Sequence, residues 1–202
     1  MSFSPQDSSA ARITPSSTEE QVVLLNAAYE PIGTYPKASV HTKNTPLHLA
    51  FSCYIIDDAG DLIITRRALT KVAWPGVWTN SVCGHISPGE TPEAAIRRRI
   101  AFELGLPVAQ QGEIREVLAN FEYYARDDSG VVEWEFCPVY VMNCTQPLDF
   151  APNRAEVARL ERYPFEQVLA AVQATPAVYS PWMVSQLAHS GLVQALREVS
   201  AR

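Results

Sequence analysis

Residues 91–104 constrain the fold most, because both ends of a helix are marked there. Thr91 is a typical N-cap residue, Pro92 occupies the first helical position, and Glu93 places negative charge near the positive end of the helix dipole. Gly105 follows as a terminator. The segment therefore predicts a well-defined helix, preceded by a loop. One face of that helix is expected to carry Ala95, Ile96, Arg99 and Phe102.

The rest of the chain alternates short apolar runs with turn residues, which is typical of strands mixed with a few helices. Strands are predicted at residues 22–25, 46–57, 61–65, 79–82, 117–125 and 131–142, a turn at Glu30, Pro31 and Gly33, and further helices at 165–172 and 182–196. With no internal repeat or central linker, residues 20–202 predict one α+β domain. Residues 1–19, rich in Ser, Thr, Gln and Pro, predict a disordered leader.

Composition excludes several classes of protein. The net charge of −6 disfavours a nucleic-acid partner, which requires a basic face. No apolar run approaches the roughly 20 residues that span a bilayer, so no membrane association is expected. Without the pattern of a secretion signal, a cytoplasmic protein is the default expectation. The four cysteines form no CxxC pair, which predicts free thiols.

Two carboxylates and three histidines form the first candidate site. Glu133 and Glu135 alternate in a predicted strand, so they share one face about 7 Å apart, where a bound cation would relieve their repulsion. An edge strand with a wet face is the alternative. His41, His48 and His85 precede the predicted helix, and each alone could be an ordinary core or surface histidine. Together this mixed N/O set suits Mn²⁺, Zn²⁺ or Mg²⁺.

The cysteines differ in their neighbours. If residues 79–85 are extended, Cys83 and His85 share one face, which places a thiol beside the candidate metal site. Cys137 shares the face of Glu133 and Glu135 by the same parity and is a rival. Cys53 and Cys144 have no such neighbours and are interpreted as packing residues.

The loop and helix around residues 84–106 resemble the Nudix box. The matching positions are Gly84, Glu90, Arg98, Ile100, Glu103, Gly105 and Leu106. Arg99 and Phe102 stand where the pattern has glutamates, leaving Glu103 as the obvious helical ligand for Mg²⁺. A hydrolase that needs the full carboxylate cluster should be crippled by these two changes. The alternative interpretation is an amphipathic helix with charges on its wet face.

A denser resemblance spans about residues 21–188. The chain is similar to the type 1 isopentenyl-diphosphate isomerase family at His41-Thr42 and at residues 46–51, 65–69, 74–85, 130–135 and 180–183. This resemblance implies a Nudix-like α/β/α sandwich with a mixed β-sheet and a divergent Nudix helix. It also implies a metal-dependent interconversion of isopentenyl and dimethylallyl diphosphate through a tertiary carbocation.

The resemblance also implies a role for each matching residue. A tightly bound divalent metal (Mn²⁺, Zn²⁺ or Mg²⁺) would be held by His41, His48, His85, Glu133 and Glu135. Glu103 would help hold a Mg²⁺ that bridges to the substrate diphosphate. Cys83 and Glu135 would be the acid/base pair, Tyr123 would hydrogen-bond near Glu135, and Trp182 would face the developing cation. The diphosphate would meet Lys37, Arg67, Lys71 and Arg99.

Two other functions stay open at this level. One is a Nudix hydrolase that cleaves a nucleoside diphosphate derivative, which the missing carboxylates disfavour. The other is a non-catalytic module that binds a diphosphate or senses a metal, which leaves Cys83 beside His85 unexplained. The expected partner is a small-molecule diphosphate substrate, and the expected state is a monomer or a weak homodimer.

Overall fold

The computed structural model describes residues 20–201. The strands are β1 (Gln21–Leu25), β2 (Pro31–Pro36), β3 (His48–Ile56), β4 (Asp61–Arg67), β5 (Trp78–Thr79), β6 (Val82–His85), β7 (Glu113–Leu118), β8 (Glu122–Arg126), β9 (Val132–Phe136), β10 (Val139–Asn143) and β11 (Val157–Pro164). The helices are α1 (Lys37–Val40), α2 (Pro92–Arg99), α3 (Phe165–Ala174), α4 (Pro181–Leu187) and α5 (Ser190–Ser200). The predicted leader lies outside the described residues.

Strand β3 organises the sheet because it is apolar on both faces, as a central strand must be. It pairs with β1, β4 and β6 in antiparallel fashion and with β9 and β10 in parallel. The sheet is therefore mixed, as predicted.

Alternate residues of β3 face two separate cores. Phe51 and Ile55 pack with Ile96 of α2 on one side of the sheet. Tyr54 packs on the other side with Met183 of α4 and with residues of α3 and α5. Because side chains alternate along the strand, both faces of the sheet are apolar and both are covered by helices. This is the expected α/β/α layering.

Helix α2 begins as predicted, since the Thr91 hydroxyl accepts a hydrogen bond from the Ala94 amide at 3.3 Å. Its C-terminal part widens into a π-helical turn, Ile100–Leu104, which ends at Gly105 with φ of 66°. A side chain at Gly105 would lie 2.2 Å from the Ala151 carbonyl oxygen, so the position requires glycine.

The sequence prediction is wrong at several boundaries. The predicted turn at Glu30–Gly33 runs instead into β2, a fully exposed strand with proline at each end. The predicted strands 117–125 and 131–142 are each two strands, the second interrupted at Cys137 and Pro138. The predicted helix 182–196 is divided into α4 and α5. Strand β11 was missed, because its side chains beyond Val157 are largely solvent-exposed and charged. Within residues 20–201, no helix is long and apolar enough to cross a membrane.

Candidate active site

A cavity of about 400 Å³ opens where β4, β6, β8 and β9 meet α1, α2 and α4. All of the sequence-predicted site residues except His48 line it, and His48 lies fully buried behind His85 and Glu135. The structure therefore brings the predicted residues together, although they come from many elements.

Strand register assembles the first part of the site, the histidine cluster (His41, His48, His85 and Glu135). On β3, His48 lies directly opposite Glu135 of β9. His85 ends β6, two positions along the β3 ladder, opposite Ala50. His41 follows immediately after α1. One potential ligand atom from each of the four residues lies within 4.8 Å of the others.

The contacts within the histidine cluster fit a divalent cation. The Nε2 atoms of His48 and His85 are 3.2 Å apart, and both lie within 3.4 Å of one Glu135 oxygen. The Nδ1–H of His48 donates to the Pro46 carbonyl at 2.8 Å, which leaves the Nε2 lone pair free toward Glu135. The Nε2 of His41 is buried without a hydrogen-bond partner among residues 20–201. A single cation would satisfy these facing acceptors at once.

Burial and hydrogen bonding set the charge of this cluster. Burial lowers the pKa of His41 to about 4 and that of His85 well below its ordinary value, so both imidazoles are neutral at pH 7. Burial also opposes ionisation of Glu135, but its contacts with His48 and His85 together outweigh burial and hold its pKa well below the usual range. Burial disfavours a charged His48, but its contacts with Glu135 and the Pro46 carbonyl and the nearby charge of Glu133 together outweigh burial and raise its pKa.

Glu133 and Glu135 share one face of β9, and both are buried, so the wet edge strand is wrong. The Tyr123 hydroxyl contacts both carboxylates, at 2.9 Å to Glu133 and 2.7 Å to Glu135. Glu133 also lies 3.7 Å from Arg67. Burial raises the pKa of Glu133 to about 7, so this carboxyl can hold a proton near neutrality.

Cys83 and Trp182 form the wall beside this pair. The Cys83 thiol lies 3.0 Å from the Asn80 side-chain oxygen and 3.4 Å from the Ser52 hydroxyl, and burial raises its pKa to about 12. The Trp182 ring lies 5.5 Å from the Tyr123 ring and 5.3 Å from the Arg67 guanidinium carbon. Cys137, the rival thiol, is buried in the core near Ser52 and does not line the cavity. All four cysteines are free.

A second group of side chains, the cationic network, pairs Lys37, Lys71 and Arg99 with Glu20, Glu103 and Glu156. The guanidinium of Arg99, only 2% exposed, lies 2.5 Å from Glu103, 3.6 Å from Glu156 and 3.7 Å from Glu20. Lys71 contacts Glu156 at 2.5 Å, and Lys37 pairs with Glu20. Each cation of the network therefore already has a carboxylate partner.

The three consecutive arginines of the α2 helix point in different directions. Arg97 pairs with Glu93 on the surface, and Arg98 forms two hydrogen bonds with Glu90, at 2.8 and 2.7 Å. Arg99 alone of the three lines the cavity. Glu90 and Arg98, which match the Nudix-like pattern, thus bind the loop to the helix. Arg99, which departs from the pattern, lines the cavity instead.

Sequence reasoning missed several residues that contact these groups. No local pattern distinguishes Glu156 or Glu20, which follows Glu19 in the sequence. Asn80 and Ser52 contact the Cys83 thiol. Asn80 lies only three positions before Cys83, so a search for buried partners of that thiol could have found it.

Comparison with known proteins agrees with this architecture. The NUDIX domain family matches residues 46–183. A Deinococcus radiodurans protein of known structure superimposes with a TM-score of 0.59 at 20% identity, covering 89% of this chain and 99% of that one. A Nudix hydrolase of M. smegmatis, RenU, gives 0.53 at 21% identity, covering 89% and 94%. These structures show the fold alone, and the chain is a member of the Nudix superfamily.

Sequence relatives narrow the assignment. The isopentenyl-diphosphate Delta-isomerase of Corynebacterium glutamicum is 51% identical over 179 residues, covering 89% of this chain and 95% of that protein. The protein of the same name from Agromyces mediolanus is 49% identical over 186 residues, covering 92% and 88%. The chain therefore belongs to the type 1 isopentenyl-diphosphate isomerase family, as the resemblance predicted.

Proposed function

We propose that this chain interconverts isopentenyl diphosphate and dimethylallyl diphosphate. The observation that carries the proposal is that a thiol, a tyrosine–carboxylate pair and an indole line one cavity together with the histidine cluster and the cationic network. Such a cavity presents proton-exchanging groups from two strands, Cys83 on β6 and Glu135 on β9, and cations that can bind an anionic head group. Moving a double bond along a carbon chain requires one group that donates a proton and another that accepts one.

Binding of the diphosphate is assigned to the cationic network. Lys37, Lys71 and Arg99, with Arg67 nearby, supply four cations to the cavity wall. Glu103 lies among them and suits the Mg²⁺ that accompanies a diphosphate. The alkene end of a five-carbon substrate then extends toward Cys83, Tyr123 and Trp182.

The reaction exchanges two protons. The S–H bond of Cys83 breaks as its proton adds to the terminal carbon of isopentenyl diphosphate, which leaves a thiolate and a tertiary cation at C3. A C2–H bond then breaks, its electron pair forms the new C2–C3 double bond, and the proton passes through the Tyr123 hydroxyl to Glu135. Exchange with solvent returns the thiol and the carboxylate to their starting states.

Two features protect the cation. The face of the Trp182 indole stabilises a desolvated cation by on the order of 1 to 2 kcal/mol. Trp182 is also 1% exposed and closes the cavity wall, which keeps water from the ionisable allylic product.

The histidine cluster and Glu133 would hold the tightly bound divalent metal. When bound, such an ion supplies positive charge that neutralises the buried carboxylates and fixes their orientation. Mn²⁺, Zn²⁺ and Mg²⁺ all suit the mixed ligand set. We also predict that the protein is cytoplasmic and that it is a monomer or a weak homodimer.

The decisive experiment incubates the purified protein with isopentenyl diphosphate and Mg²⁺ in D₂O and follows deuterium by NMR. We expect deuterated dimethylallyl diphosphate from the native protein and from Cys53→Ala, a buried cysteine outside the cavity, and none from Cys83→Ala. Product from Cys83→Ala as well would reject the thiol as proton carrier. Absence of exchange in the metal-loaded native protein would reject the isomerase, and release of phosphate or a nucleoside monophosphate from a nucleoside diphosphate derivative would then favour the hydrolase.

A further inference from the structure

Asn80 lies in the two-residue connection between β5 and β6 and is fully buried. Its amide nitrogen donates one hydrogen bond to the Cys53 carbonyl of β3, at 3.1 Å, and another to the Val82 carbonyl of β6, at 3.0 Å. Both N–H groups of the amide are thereby used. Because only the NH₂ end can donate to two carbonyls, these bonds settle which end of the amide is the oxygen.

The Asn80 oxygen faces the wall of the cavity and accepts three hydrogen bonds. The donors are the Cys83 thiol at 3.0 Å, the Trp182 indole N–H at 3.1 Å and the Thr79 hydroxyl at 2.9 Å. Cys83 and Trp182 belong to β6 and α4, and Trp182 is 102 positions from Asn80 in the chain. A single atom therefore joins the proposed proton carrier to the proposed cation-stabilising ring.

A second connection fixes the same two elements. The Thr79 hydroxyl lies 2.8 Å from the hydroxyl of Ser180, which caps the N-terminus of α4. The Ser180 amide donates to the Trp78 carbonyl at 2.8 Å. The start of α4 is thus attached to β5 next to Asn80, so rotation of the indole about its own side-chain bonds is the main freedom left to Trp182.

The shared acceptor removes that freedom. In the resting site, the Cys83 sulfur and the Trp182 indole both donate to one immobile oxygen, which fixes their positions relative to each other because hydrogen bonds weaken steeply away from linear geometry. The single thiol proton leaves this bond when it adds to the substrate. Asn80 is fully buried and its amide nitrogen is bonded to β3 and β6, so the side-chain oxygen is held in place. Fixed orientation of reacting groups contributes strongly to rate.

We propose that Asn80 is a positioning residue for the isomerisation: its side-chain oxygen holds the Cys83 thiol and the Trp182 indole in one fixed arrangement against the substrate carbons. This inference rests on the proposed function and assigns to Asn80 a role through two other residues, without contact to the substrate. The cationic network shares no contact with Asn80, so binding of the diphosphate does not depend on it.

The test is Asn80→Leu, which keeps the approximate size and removes every hydrogen bond. We expect kcat to fall on the order of 100-fold, as for misplaced reacting groups, with KM changed less than about threefold. Ser81→Ala is the matched control. Ser81 is equally buried and exchanges hydrogen bonds with Ile63 and Ile55, at 2.5 and 2.7 Å, but contacts neither Cys83 nor Trp182. It should lose stability and keep its kcat.

A spectroscopic measurement separates positioning from mere stability. In protein labelled with ¹⁵N-tryptophan, the indole N–H signal of Trp182, identified by its loss in Trp182→Phe, should move in Asn80→Leu and stay in place in Ser81→Ala. If Asn80→Leu does not fold, Asn80→Ala, which also removes the shared acceptor, takes its place in both measurements.

Either of two results overturns the inference: a kcat within about twofold of the native value in folded Asn80 variant, or equal losses of kcat in the Asn80 and Ser81 variants. The native protein in the same assay shows whether the isomerase itself is correct. If native turnover is present and the Asn80 variant matches it, the positioning role alone fails. If native turnover is absent, the proposed function fails, and an unmoved Trp182 signal would still count independently against the role of Asn80.

Discussion

The histidine cluster and the cationic network line one cavity but differ in how their charges are balanced. In the network, Lys37, Lys71 and Arg99 each face a carboxylate of Glu20, Glu156 or Glu103. In the cluster, three imidazoles surround one carboxylate, and the buried nitrogens His41 Nε2 and His85 Nδ1 have no hydrogen-bond partner in the part of the chain that the structure describes. The charges of the cationic network are therefore balanced within the protein. The histidine cluster instead presents ligand atoms for a cation that none of residues 20–201 supplies.

This difference has a chemical consequence. A cluster of facing acceptors gains stability when it binds a cation, so a metal bound there would contribute to the stability of the folded protein. The network has three cations and three carboxylates, and its charge is balanced before a substrate arrives. A diphosphate is best accepted there together with Mg²⁺, whose positive charge offsets the added negative charge. We therefore expect a resident metal in the first region and a substrate-carried metal in the second.

The largest effect is expected for Glu135→Gln, which removes the carboxylate shared by the histidines. Turnover should fall at least about 1,000-fold, because both a metal ligand and a proton acceptor are lost. The tightly bound metal, counted per chain by mass spectrometry, should fall with it. Glu122→Gln is the control, because Glu122 is exposed on the neighbouring strand β8. It should change neither turnover nor metal content. Full metal content and full activity in Glu135→Gln would contradict the contrast drawn between the two regions, because the histidine cluster would then need no carboxylate to bind its metal.

Metal removal should destabilise the protein through the histidine cluster alone. A metal present at about 100 times its dissociation constant stabilises by about 2.7 kcal/mol, which corresponds to roughly 5–10 °C in Tm for a chain of this size. Chelation should lower the Tm of the native protein by this amount and leave that of His85→Ala nearly unchanged. An equal drop in the variant would place the stabilising metal elsewhere.

Parts of this site could be predicted from sequence, and others could not. Alternation along a strand correctly placed Glu133 beside Glu135, and Cys83 and His85 both line the cavity as their spacing predicted. The resemblance brought in Lys37 and Lys71, whose local sequence carries no signal. Glu156 could not be found because its partners, Lys71 and Arg99, come from distant parts of the chain.

The fold shows the same division. Helix α2 was predicted because its cap, first turn and terminator are local features. Strands β2 and β11 were missed because pairing with β1 and β4, which lies outside their own sequence, makes them strands. The π-helical turn after Arg99 also lacks a local signal. Tertiary pairing and burial determined each of these elements.

A moderate effect is expected for Lys71→Met in the cationic network. Losing one charge-assisted contact should raise KM for isopentenyl diphosphate about tenfold and leave kcat within about threefold. Lys43→Met removes a lysine that does not line the cavity and should leave both constants unchanged. A fall in kcat with unchanged KM would mean that Lys71 acts in the proton transfers, and the division between the two regions would fail.

The smallest effect is expected for Glu90→Gln, at the ion pair that fastens the loop to α2. Hydrogen bonds from Arg98 and the Ser87 amide outweigh partial burial and lower the pKa of Glu90. The ion pair therefore stabilises the folded protein fully above the pKa that Glu90 has in the unfolded chain, and this stabilisation is lost as the pH falls through the lower pKa of the folded state. With Arg98 about one-third exposed, solvent screening limits the pair to about 0.5–1 kcal/mol. The variant should therefore melt a few degrees lower at pH 7, with the difference shrinking below about pH 4. Turnover should match that of Glu93→Gln, which removes the exposed pair with Arg97. A large loss of activity in Glu90→Gln alone would extend the substrate-binding region to the retained residues of the Nudix-like pattern.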